Sequence, residues 1–141
     1  MTLPENQLPQ FHYVPMGLAG HAGQLNLSPL ADPTEDSWVA GRGDSASLAV
    51  PCTNLESLMQ QNGHVHIDLL KLDIEGCEYE VIDDLLMRRL QVRQLAVEFH
   101  HGVLPGFRRS QTIRSMLRLI GRGYRLVNQT GANHTFVRAG R

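Results

Sequence analysis

From about residue 47 onward, apolar positions alternate between the two-residue period of a strand and the three-to-four-residue period of a helix. Residues 47–52 (SLAVPC) read as a strand or an extended segment. A helix begins at Thr53 or Asn54. Thr53 followed three residues later by Glu56 fits a capping box, Leu55, Leu58 and Met59 form the apolar stripe, and Gly63 ends it. Residues 67–72 (IDLLKL) predict a strand buried on both faces, interrupted by Asp68 and Lys71, and residues 73–76 a turn. Residues 78–90 carry Val81, Ile82, Leu85, Leu86 and Leu90 at helical spacing. Residues 94–99 (QLAVEF) are the next strand, and 100–106 a loop. Residues 109–120 form a helix with Ile113, Met116, Leu117 and Ile120 on one side, closed by Gly121 and Gly123. Residues 124–128 and 134–138 are strands joined through Gly131, close enough for an antiparallel hairpin.

The first third is less regular. Residues 11–18 (FHYVPMGL) and 24–27 predict short strands around a turn at 20–23 (GHAG). Residues 28–46 are rich in Pro, Gly, Ser and Asp without a period, an unusually long loop with Trp38 as its only large anchor. Residues 1–10 are a flexible lead-in, which leaves 11–141 as a single domain. Strands alternating with helices argue for an α/β fold with a mainly parallel sheet, helices on both faces and a C-terminal antiparallel hairpin.

Composition adds exclusions. The 42% hydrophobic and 19% charged residues are those of an ordinary globular chain, and a net charge of −1 gives no electrostatic case for nucleic acid or an anionic membrane. Arg108, Arg109, Arg114, Arg118, Arg122 and Arg125 read as the wet face of a helix. Cys52 and Cys77 make neither a disulfide framework nor a zinc spacing, so a reducing, cytoplasmic compartment is expected. No apolar run approaches the roughly 18 residues that span a bilayer.

In open parallel sheets, ligands bind beyond the carboxyl ends of the strands. Two such ends are unusually polar here. In the first, Asp73 leaves a buried strand, where a carboxylate can act as a general base or hold a cation. Glu75 and Glu78 follow it, and both also suit helix capping, Glu78 the more so. In the second, Glu98 lies within a strand and needs a partner, an Arg or Lys71, while His100 and His101 follow on a loop. Of the two histidines His100 is the choice. Elsewhere His64 and His66 have chelating spacing at the wrong end of a strand, and Cys77 suits burial. The chain contains no Gly-x-Gly-x-x-Gly, Walker loop, nucleophile elbow or zinc ligand set.

Residues 69–86 (LLKLDIEGCEYEVIDDLL) resemble the hallmark segment of FkbM-type methyltransferases, which typically reads (L/I)-K-(I/L)-D-x-E-G-x-E-x-x-(V/I). Other pieces agree in order: residues 53–58 (TNLESL), 94–101 (QLAVEFHH), Gly123 with Tyr124, and Thr135, Phe136 and Val137. Residues 15–18 and 20–23 resemble the family's third-strand region. The resemblance implies a partial Rossmann-like methyltransferase sheet and S-adenosylmethionine as cofactor, with the methyl commonly passed to a hydroxyl oxygen of a small molecule or sugar. The candidate site residues are then Asp73 and Glu75 for the cofactor and Asp73 with His100 for catalysis. Asp73 would lie beside the sulfonium and the acceptor, to orient or deprotonate the hydroxyl or help hold an ion. No resident metal is assigned.

Departures from the family pattern shape the expectation further. The family begins with a strand and Gly-rich loop for the methionine and ribose, then a second strand ending in an acid. This chain is expected to enter at the third strand and lack both. His134 stands where relatives often carry an acid, and Cys77 replaces a usual Ala. The strand at 67–72 then becomes a sheet edge, open to pairing. Either residues 11–18 move in beside it, another chain does so by self-association, or the isolated chain is unstable. The leading function is an O-methyltransferase of which this is the C-terminal portion. The alternative is a non-catalytic remnant or interaction module that keeps the fold without cofactor. A hydrolase or phosphatase built on Asp73 lacks every accompanying motif.

Overall fold

Strand and helix alternate as the patterning predicts, but the strands divide between two mixed sheets. A computed structural model describes residues 10–29, 38–40, 47–101, 106 and 108–139. Strands β1 (Gly17–Leu18), β2 (Gly23–Pro29), β3 (Trp38–Ala40) and β4 (Leu48–Thr53) make the first sheet, in the order β1-β4-β2-β3. Strands β5 (Ile67–Leu72), β6 (Val92–Glu98), β7 (Tyr124–Thr130) and β8 (Asn133–Arg138) make the second, in the order β5-β6-β8-β7. The helices are α1 (Leu55–Gln61), α2 (Glu78–Arg88) and α3 (Arg109–Gly121).

The expected mainly parallel sheet is corrected. Among the described residues only β1–β4 and β5–β6 pair in parallel; β2–β3, β2–β4, β6–β8 and β7–β8 are antiparallel. Adjacent parallel strands need a crossover. In the second sheet α2 supplies one between β5 and β6, whereas the C-terminal hairpin docks β8 against β6 in reverse.

The first sheet departs most from the sequence reading. The strand expected at 11–18 shrinks to β1, because Pro15 has no N–H to give a ladder and Phe11 and Tyr13 face solvent. The expected loop at 28–46 contains β3, which gains its partner only through pairing with β2. Its residues 30–37 and 41–46 lie outside the described residues, as does the lead-in up to residue 9. This sheet lies over the start of α2. Ala19 N–H donates to the Thr53 carbonyl at 3.0 Å, and a Cβ at Gly20 would stand 3.0 Å from the Glu80 carbonyl oxygen. A close approach of two backbones thus requires glycine there.

The expected Thr53–Glu56 capping box does not form. Thr53 ends β4, Glu56 pairs with Arg88 of α2, and Asn54 caps α1 by accepting the Ser57 N–H at 2.8 Å. Asn54→Ala is expected to lower stability by about 1 kcal/mol. Urea unfolding would show this as a lower midpoint at unchanged slope; an unmoved midpoint contradicts it.

Two burial expectations are also corrected. β5 is not covered on both faces: Leu69 is 59% exposed, and only Leu72 is fully buried. Among the described residues β5 has one neighbour, β6; residues 11–18, one of the candidates to join it, contribute β1, which pairs with β4 instead. α3 turns Thr112, Ser115 and Leu119 inward and leaves Ile113, Leu117 and Ile120 exposed. The Thr112 hydroxyl draws that face in through bonds to Tyr79 and His101. The six arginines of the predicted helix face are all exposed, but only Arg109, Arg114 and Arg118 lie on α3; Arg108 and Arg122 flank it and Arg125 is in β7.

The core gathers Leu72, Val81, Ile82, Leu85, Leu95, Val97, Phe99, Leu119 and Phe136 from β5, α2, β6, α3, β8 and the residue after β6. Each contributes about 1.5–3 kcal/mol by leaving water. The parallel β5–β6 pair embedded here brings two strand ends to the same side.

Candidate functional site

At the end of β5 the chain leaves the sheet at Asp73 and turns through Ile74, Glu75 and Gly76 before α2 begins at Glu78. The turn is tight. Gly76 sits at φ 110°, and Glu75 at φ 50°, a left-handed conformation that costs a non-glycine residue roughly 1–2 kcal/mol. Two sets of bonds hold it there. The Glu75 carbonyl accepts the Ala40 N–H at 3.2 Å. The Glu78 carboxylate folds back to accept the Ile74 N–H at Oε1 and the Gly76 N–H at Oε2, each at 3.0 Å. Glu78 is fully buried and satisfies the turn before its helix.

β6 runs parallel to β5 and ends at Glu98, so Phe99 and His100 emerge beside this turn. The His100 Nδ1 lies 2.9 Å from Glu78 Oε1. That carboxylate already accepts two backbone N–H groups, so the ring nitrogen is the donor. In the neutral ring Nε2 then carries the lone pair. It faces Glu75 Oε2 at 3.4 Å and Asp73 Oδ1 at 3.9 Å. The other oxygen of Asp73 accepts from Lys71 Nζ at 2.7 Å. That bond and the Asp73 charge raise the Lys71 amine above its ordinary range, and the Glu98 charge adds to this.

The structure therefore brings Asp73, Glu75 and His100 together from two strand ends. Glu78, which reads as a helix cap, is instead the buried hub behind them; its place as the last acid of the Asp-x-Glu-Gly-x-Glu string is the signal that marks it. Other sequence candidates stay apart. His101 turns away to Thr112, at 2.8 Å, which in turn meets the Tyr79 hydroxyl at 3.0 Å. Burial raises the Tyr79 phenol. Cys77 is buried, and burial first, then the Glu80 charge, pushes its thiol far above the ordinary range. Its thiolate is therefore suppressed, which argues against use as a nucleophile. His64 and His66 lie exposed at the amino end of β5, with His66 3.7 Å from Asp68. His134 is buried with Nδ1 2.9 Å from the Ala132 carbonyl.

An imidazole lone pair and two carboxylates at the mouth of a parallel strand pair can receive the hydrogen of a hydroxyl or hold positive charge.

Comparison with known proteins bears on which chemistry this is. The methyltransferase FkbM domain matches residues 7–126. Two curated relatives, each named probable methyltransferase-like protein 24, from Rattus norvegicus and Homo sapiens, are 37% identical over 67 residues. The match takes in 45% of this chain and 18% of either relative, so the chain spans less than a fifth of their length in alignment. No solved structure matches.

Proposed function

This chain belongs to the methyltransferase FkbM domain family, and from that premise we propose that it forms the acceptor side of an S-adenosylmethionine-dependent O-methyltransferase acting on a small-molecule or sugar hydroxyl. The observation that carries this reading is the Glu78-anchored His100 turned toward Asp73 and Glu75 where β5 and β6 end. The anionic oxygens of Asp73 and Glu75 fit the positively charged end of the cofactor. When bound, the cofactor supplies an electrophilic methyl for in-line displacement at carbon.

Asp73 stands at the mouth with its carboxylate 37% exposed, open to an incoming hydroxyl. It would orient the acceptor oxygen and take its proton during methyl transfer. Lys71 steadies one Asp73 oxygen and leaves the other directed inward. Glu75 would supply negative charge toward the positively charged end of a bound cofactor. His100 is the positioning residue between the two carboxylates.

Calorimetric titration of the full chain with S-adenosylmethionine tests the reading. Binding is expected, and Asp73→Asn is expected to weaken it by roughly tenfold to a hundredfold, the scale of one lost charged contact. No heat at saturating cofactor would remove the proposal and leave a non-catalytic module that keeps the fold.

A further inference from the structure

We infer that Asp73, Glu75 and His100 bind a divalent first-row metal cation of the manganese or zinc class, with Glu78 as the carboxylate behind the histidine. One donor atom from each of the three residues lies within 4.8 Å of the others. The His100 side chain is only 10% exposed, and no described residue makes a hydrogen bond to its Nε2. That nitrogen is aimed at oxygens that can only accept. With Nε2 unprotonated, three lone-pair donors face one another at 3.4 and 3.9 Å, an arrangement that a cation between them satisfies.

The support behind the ring points the same way. A metal-bound histidine almost always donates its other ring N–H to a carboxylate, carbonyl or water, which fixes its tautomer. Glu78 takes that part here, itself locked by two backbone N–H groups. The spacing agrees as well. Ligands about 2.0–2.1 Å from a tetrahedral ion stand about 3.4 Å apart. Nε2 and Glu75 Oε2 are at 3.4 Å already, and Asp73, on the exposed side, has only to close from 3.9 Å. Among the described residues, Asp73, Glu75 and Glu78 are set against the ammonium of Lys71, which the Glu98 charge also reaches, so the site keeps an excess of negative charge that a cation offsets. One imidazole with two carboxylates suits manganese or zinc better than soft or purely oxygen-loving ions.

The test needs neither cofactor nor acceptor. Mn²⁺ alone is titrated into the full chain, and the loss of the free-ion electron paramagnetic resonance signal is read. One ion per chain is expected, displaced by Zn²⁺ and removed by chelator. Glu78→Gln, which disturbs the support of the ring, is expected to weaken binding by roughly 10–100-fold. Glu75→Gln, at a part-exposed turn, is expected to weaken it at least as much. Absence of stoichiometric binding by the folded wild-type chain overturns the inference, whether or not a proton on Nε2 takes the cation's place. So does equal affinity in wild type and Glu75→Gln. Because the titration omits S-adenosylmethionine, failure here leaves the methyl-transfer reading standing, and failure of cofactor binding leaves this one standing.

Discussion

Replacement of Glu78 by alanine is expected to destabilise the fold by about 3–5 kcal/mol, the scale for breaking a buried charged network by removing one partner. Glu78 is fully buried, and its two oxygens serve three donors: the Ile74 and Gly76 backbone N–H groups and the His100 ring. Truncation leaves all three without an acceptor, at about 1–3 kcal/mol for each that water cannot reach. It also releases the turn in which Glu75 is held at φ 50°. Glu78→Gln separates shape from charge. The amide keeps the volume and one acceptor oxygen, but its NH₂ then faces an N–H donor, so one clash replaces three losses and the cost falls to about 1–3 kcal/mol. Urea midpoints rank the two variants, and faster amide exchange at Ile74 and Gly76 locates the effect. An alanine variant within about 1 kcal/mol of wild type would show that solvent reaches these donors and that Glu78 is no hub.

Glu78 also marks the limit of what the sequence discloses. A glutamate at the first position of a helix has the same pattern whether it faces water and the helix dipole or folds inward onto the preceding turn. The choice depends on β6 delivering His100 to the same place, a contact across 22 positions of chain. Asp73, Glu75 and His100 were legible because they follow apolar strands, and polar residues just past parallel strands collect at one sheet end. The family was legible from the same segment. Pairing in the first sheet was not. Period-two alternation locates a strand but carries nothing about its neighbour, so the pairing of β3 with β2 escaped. In α3 the apolar stripe of Ile113, Leu117 and Ile120 misdirects, because the hydroxyl of Thr112 bonds to Tyr79 and His101 and sets which face turns inward. Hydrophobic periodicity gives that hydroxyl no weight.

Phe99→Ala is the second large effect, expected to cost about 3–5 kcal/mol. The ring is fully buried, stacked 5.5 Å from Tyr79 and edge-on to His134 at 5.2 Å. Its backbone N–H donates to the Ala132 carbonyl at 3.0 Å, which ties the end of β6 to the β7–β8 turn. Phe99 immediately precedes His100 in the chain, so loosening it is expected to reach the site as well as the core. Phe136→Ala is the control: the side chain is equally buried in β8, and its loss is expected to cost a similar amount. Both variants lower the unfolding midpoint. Below their transitions, where both are folded, only Phe99→Ala is expected to weaken Mn²⁺ binding, because only Phe99 anchors the segment that carries His100. Equal weakening by the two variants would mean that the site follows global stability. Unchanged binding in Phe99→Ala would mean that Glu78 alone orients the ring.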